Sequence, residues 1–280
     1  MGRLGRSIRL MKESYRVLMQ DKELLLLPVI SGAIVILVTA SFVVPMFLLG
    51  DRVDEDNGLL WSLLGLAFYV VTYTVGIFFQ AAVVAGANER LSGGDPTLGS
   101  ALAAARRHLG SIVAWGVVAG TVGMILRSVQ ERSELLGRIV AGLIGAAWSL
   151  ATFFVVPVLV LEGASMGAAF KRSWALFKET WGEQIGGRIG LGLAGLVLFL
   201  PVVGVSALLW FAGLHVVAVA VGVLGLALLG VFFAALQAVF VTVLYRYATT
   251  GETLGGFDPD DVAGAFKPKR GQERPRASDR

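Results

Sequence analysis

Few residues in this chain have the type and spacing to do chemistry. Glu162 stands five positions after Pro157 and ten before Arg172. A carboxylate and a guanidinium on either side of a turn can pair and fix one segment against the next; Arg188 is the other cation in reach of such a pairing. An ordinary charge at a membrane boundary is the competing reading of Glu162. Glu162 and Glu183 are also the carboxylates that a headgroup-processing enzyme would use, but neither has a clear metal or nucleophile partner. Gly163-Ala164-Ser165-Met166-Gly167 matches G-x-S-x-G, yet a nucleophile elbow needs a preceding strand and a histidine and an acid in reach. An apolar stretch precedes it here, and the downstream histidine, His215, falls at the opposite membrane face. Gly190-Leu191-Gly192-Leu193-Ala194-Gly195 matches G-x-G-x-x-G but lies inside an apolar run, where helix packing is the expected role, not the βαβ turn of a dinucleotide site.

The chain has no cysteine and two histidines. Disulfides, thiolate metal sites and cysteine nucleophiles are excluded, little is left for an imidazole metal site, and no cofactor is expected. Deep polar residues are few, chiefly Thr72, Tyr73, Thr74 and Gln80 in one run, Ser149 and Thr152 in another, and Gln237 in the last. No ionisable group sits at mid-membrane, which argues against a proton-coupled transporter. Gln80 and Gln237 are expected to hydrogen-bond between helices; a substrate contact is the alternative.

The elements that must position these groups are apolar helices. Of 280 residues, 56% are hydrophobic and 16% charged, against about 25% charged in soluble domains. Uncharged runs occupy 24–49, 58–88, 109–126, 139–161 and 189–245. In lipid every backbone polar group must be satisfied within its own segment, so such runs are helices, and they lack the alternation of a membrane β-barrel. The run 24–49 is long enough to span and reads as a first helix, not a signal peptide. The last run would extend about 86 Å as one helix at ~1.5 Å per residue, so a hairpin near Gly213-Leu214-His215 is expected. The result is an all-α polytopic membrane bundle of six transmembrane helices, at about 24–49, 60–84, 109–126, 139–161, 189–212 and 216–245. With the N-terminus in the cytoplasm, only Arg52, Arg127, Arg132 and Arg138 of the 24 Lys and Arg residues fall in outer loops, as the positive-inside rule requires. A prokaryotic plasma membrane with both termini cytoplasmic is expected. The pI near 9.6 then reflects topology, and no nucleic-acid partner is implied.

A repeat precedes the odd-numbered spans. Residues 7–23 and 166–183 align on Ser14-Tyr15 and Ser173-Trp174, each with a lysine two positions before the serine; residues 97–110 are a weaker copy. Helical spacing places Ile8, Met11, Tyr15 and Leu18 on one stripe, and Met166, Ala169, Phe170, Trp174, Phe177 and Trp181 on another. Three cytoplasmic interfacial amphipathic helices follow, at about 1–23, 97–108 and 165–180, with Asp95 as N-cap and Pro96 as first residue of the second and Ser165 capping the third. Basic and aromatic residues on such helices suit the headgroup layer, with anionic lipid as the partner; a protein partner is the alternative. Gly116/Gly120 and Gly186/Gly190 have small-xxx-small spacing for close packing. Pro45, Pro157 and Pro201 could instead break helices around a transport site. The tail 251–280 is expected to hold a short helix at Asp258-Pro259 and to be disordered after 267.

Three stretches carry a family resemblance. They are Tyr15-Arg16-Val17-Leu18 with Asp21 through Pro28, Pro157 through Glu162 with Ala169 through Trp174 and Thr180-Trp181-Gly182, and Ala235-Leu236-Gln237 with Tyr245 through Gly251. Together they resemble an uncharacterised family of prokaryotic six-span integral membrane proteins, over most of 7–266. More loosely, the Pro…Glu…Arg-Ser-Trp pattern is similar to the membrane domain attached to some glycerophosphoryl diester phosphodiesterases. The resemblance implies membrane architecture and no activity, since no polar region is long enough for a catalytic barrel. A non-enzymatic scaffold or lipid-associated protein is the leading expectation, a transporter or channel the second, and a headgroup enzyme the third.

Overall fold

The computed structural model describes residues 3–49, 58–132, 135–181 and 189–251. Ten helices follow one another there, with no strand among the described residues: α1 (Arg3–Gln20), a 3-10 turn (Lys22–Leu25), α2 (Leu26–Leu49), α3 (Gly58–Leu91), α4 (Leu98–Arg107), α5 (Leu109–Arg132), α6 (Leu135–Ala151), α7 (Val155–Leu161), α8 (Met166–Trp181), α9 (Ile189–Phe211) and α10 (His215–Thr250). Among the described residues, five stretches are long and apolar enough to cross a membrane: Lys22–Met46, Gly58–Leu91, Leu109–Glu131, Gly137–Leu161 and His215–Thr250, with Phe199–Phe211 a shorter apolar helix.

The turn expected near residue 213 is present. Gly213 takes φ +82°, a backbone open to glycine at no steric cost, and the Gly213 and Leu214 amides donate to the Trp210 and Leu209 carbonyls. Two helices outrun their expected spans. At 34 residues α3 is about 51 Å long, because its last turn is held by partners elsewhere in the chain. At 36 residues α10 is about 54 Å long and ends at Gly251. The proline expectations divide: α2 and α9 run through Pro45 and Pro201, whereas the stretch carrying Pro157 is interrupted between α6 and α7.

Helix α3 is the hub, packing against α2, α4, α5, α7 and α10. Each short helix rests on the second long element of the unit before it. α4 lies on α3 and α8 on α7, while α1, first in sequence, lies on α10 and closes the ring. Burial is concentrated at the end where these short helices sit. Ala81–Val84 and Ala87 of α3, Ile112 and Trp115 of α5, Val155–Val160 of α7 and Val239–Tyr245 of α10 form one core with Leu18, Leu24 and Leu27. At the other end the apolar side chains face outward, with Phe211 87% and Val216 83% exposed.

Close approach of α3 and α5 depends on glycine at the expected pair. A Cβ on Gly120 would stand 3.0 Å from the Val70 Cα, and one on Gly116 would stand 3.0 Å from the Thr74 Cα. Gly186 lies outside the described residues, as do the side-chain surroundings of Gly190. Substituting Gly120→Leu is expected to lower the thermal midpoint in detergent by the equivalent of about 1–3 kcal/mol of overpacking. Gly142→Leu, at a position with open space around it, is expected to leave the midpoint unchanged.

Candidate functional site

The polar groups of the chain converge at the buried end, and most of them hold helices to each other. Pro157 supplies no amide, and its ring crowds the carbonyl four residues earlier, so the helix is interrupted across Thr152–Phe154. The chain makes tight turns there, with the Phe153 amide donating to the Leu150 carbonyl at 3.3 Å and the Val155 amide to the Thr152 carbonyl at 3.1 Å. The Ala151 carbonyl and the Phe154 amide lie on either side of these turns. Ser173 of α8, fully buried, bonds both: its hydroxyl donates to the Ala151 carbonyl at 2.7 Å and accepts from the Phe154 amide at 3.1 Å.

The neighbouring residue holds the other end of α7. Glu162 caps α7. Its Oε1 accepts from the Tyr245 hydroxyl of α10 at 2.7 Å and pairs with the Arg172 Nε at 3.4 Å. Arg172 and Ser173 thus secure the two ends of α7 from one helix, and Trp174 turns outward, 42% exposed, its ring stacked 5.9 Å from Phe177 with the Lys178 ammonium 5.5 Å from its centroid. Of the two pairings open to Glu162, the structure forms the one with Arg172. Arg188 and Glu183 lie outside the described residues, as does the side chain of Trp181. Tyr15 is exposed on α1, with Phe232 of α10 at 6.0 Å. Gln80 is half-buried in α3, and Gln237 is exposed on α10.

Several members of this layer had no signal in the sequence. Asp21, buried after α1, accepts two hydrogen bonds from Arg90 at the end of α3, and the same guanidinium reaches Asp95 at 2.6 Å. Asp95 is therefore not the N-cap expected of it. Thr97 is, in a reciprocal capping box with Ser100, because the Arg90 pairing draws the Asp95 carboxylate away. Glu23 accepts the Leu98 amide at 3.1 Å, placing a negative charge at the N-terminus of α4, where the helix dipole favours it. Ser100 also donates to Glu89 at 3.1 Å. His108 lies against Gly163, whose Cβ, if present, would stand 3.2 Å from the imidazole Cε1. Among the described residues, no three of His, Cys, Asp and Glu come together as metal ligands.

Long apolar helices, closed at one end by a polar layer, define the class: an all-helical, membrane-embedded bundle. The chain belongs to DUF6159, a family of unknown function whose model matches residues 60–256. The matched segment begins inside α3 and takes in the α7–α8 clamp and Tyr245. The family match assigns no role, and nothing in it supports the looser likeness to the phosphodiesterase membrane domain. No curated protein matches the chain.

The two kinds of contact differ in their expected cost. Ser173→Ala removes both hydrogen bonds of a buried hydroxyl, so the detergent thermal midpoint is expected to fall by the equivalent of about 1–3 kcal/mol. Asp21→Ala removes the buried partner of Arg90 but leaves Asp95 and partial solvent contact to the guanidinium, so it is expected to cost about 1–3 kcal/mol. Glu162→Gln keeps an acceptor for Tyr245 and loses only a half-exposed ion pair, an expected loss of about 1 kcal/mol or less.

Proposed function

We propose that the protein is a non-enzymatic scaffold of a prokaryotic plasma membrane. In this reading it crosses the bilayer six times, α9 being the fifth crossing, and both termini lie in the cytoplasm. α1, α4 and α8 lie in the cytoplasmic headgroup layer and associate with anionic lipid. The observation that carries this reading is how the polar groups are used. Ser173, Glu162, Arg90, Asp21, Glu23 and Glu89 all engage other parts of the chain, so this end is built to hold helices in place. The cations that remain, such as Lys12, Arg106, Arg107 and Lys171, are exposed at the same end. The charge distribution of the whole chain supports placing that end in the cytoplasm, through the positive-inside rule. A transport site near mid-membrane is less favoured, because the polar contacts gather at the end where α4 and α8 sit and not around Gln80 and Gln237.

Native mass spectrometry of gently solubilised protein tests the reading. Anionic phospholipid retained in stoichiometric amounts is the expected result. Protein free of both lipid and a partner chain would overturn it.

A further inference from the structure

α1 and α8 present the same outward face on different supports. Setting Ser14 on Ser173 places Lys12 on Lys171, Tyr15 on Trp174, Val17 on Leu176 and Leu18 on Phe177. In both helices the serine and the two apolar residues after the aromatic are buried, while the lysine and the aromatic are exposed. α1 rests on α9 and α10, and α8 on α6 and α7. In each helix the serine lies on the buried side, and the aromatic that follows it faces outward beside a lysine.

The charges on these faces are not all available. On α8, Arg172 is taken by Glu162. Lys171 and Lys178 have no carboxylate within ion-pair distance among the described residues, and Glu179, exposed on the same helix, pairs with neither. Lys171, Trp174 and Lys178 are spaced i, i+3 and i+7, so they form one stripe with the indole between two ammonium groups. On α1, Arg16 is held by Glu13 at 2.7 Å, which leaves Lys12 beside Tyr15. α4 exposes Arg106 and Arg107 but has no aromatic residue in its sequence.

A phosphodiester carrying a net negative charge matches this arrangement. The ammonium groups meet the phosphate, and the aromatic ring occupies the boundary between headgroup and acyl chain, where Trp and Tyr are enriched. We infer that Lys171–Trp174–Lys178 and Lys12–Tyr15 are two repeat-related sites for the headgroup of an anionic phospholipid, the α8 site binding more tightly. The inference rests on the proposed headgroup-layer position of these helices and deepens it: among the described side chains α8 offers two cations without a carboxylate partner, Lys178 lying over the Trp174 ring, and α1 one, and α4, which has cations but no aromatic, forms no third site.

The test uses the full chain, delipidated in detergent and titrated with dioleoyl phosphatidylglycerol. Dioleoyl phosphatidylcholine is the uncharged-headgroup control, and native mass spectrometry counts the adducts. Two phosphatidylglycerol molecules are expected to bind in preference to phosphatidylcholine. At roughly fivefold per lysine, about 1 kcal/mol each, K171Q/K178Q should weaken the tighter adduct about 25-fold, and K12Q should weaken only the second. R106Q/R107Q should leave both adducts in place. All of these side chains are exposed, so the thermal midpoints should match the parent within the small range of surface substitutions. Equal binding of the two lipids, or a tighter adduct unchanged in K171Q/K178Q, would overturn the inference. Natively purified protein that retains lipid while the lysine variants bind as the parent does would overturn these sites alone. Retention of neither lipid nor partner would remove the scaffold reading beneath them.

Discussion

Backbone amides and carbonyls have no solvent to turn to inside a bilayer, and the structure is arranged around that constraint. Where the helices are continuous it is met locally. Where the fourth apolar stretch breaks before Pro157, a single serine hydroxyl from α8 bonds both the Ala151 carbonyl and the Phe154 amide. The position of α8 is therefore set by a defect in another helix. The residues on either side of Ser173 inherit that placement: Arg172 reaches Glu162 at the far end of α7, and Trp174 faces out.

The remaining layer follows the same logic by other means. α3 extends beyond its apolar segment because Asp21 and Asp95 hold Arg90 and Ser100 holds Glu89. That extension brings the end of α3 against α4, whose first turn is completed by Glu23 from the segment after α1. Each short helix is thus fastened to a long one that precedes it, and α1 on α10 joins the last unit to the first. At the opposite end the Arg127 guanidinium of α5 donates to the Tyr69 hydroxyl of α3 at 3.2 Å, and apolar side chains are exposed, as on a lipid-facing surface.

Much of this was legible in the sequence, for physical reasons. Apolar runs of spanning length and a glycine able to take positive φ at 213 are local properties, so the long helices and the hairpin could be read directly. The Ser14–Ser173 repeat was legible too, although only the structure reveals that its serines are the buried members and its aromatics the exposed ones. Long-range pairings were not legible. Tyr245 meets Glu162 across 83 positions and Arg90 meets Asp21 across 69, and no local pattern announces either. The misread N-cap at Asp95 has the same origin: local preference favoured Asp-Pro, and a partner on α3 claimed the carboxylate. Gln237 was expected between helices because it is polar and sits in an apolar run, but one residue's polarity does not say which side of a helix faces its neighbours.

The central claim is that α1, α4 and α8 share the cytoplasmic membrane face, opposite the α9–α10 turn. The chain has no cysteine, so single cysteines can be introduced one at a time at Lys12, Thr97 and Lys171, and at Leu214 in the turn, all of them exposed. Labelling with a membrane-impermeant maleimide in inside-out and right-side-out vesicles is the most direct measurement. The account predicts that positions 12, 97 and 171 react from the cytoplasmic side and position 214 only from the other. Reaction of position 214 from the same side as position 171 would contradict it.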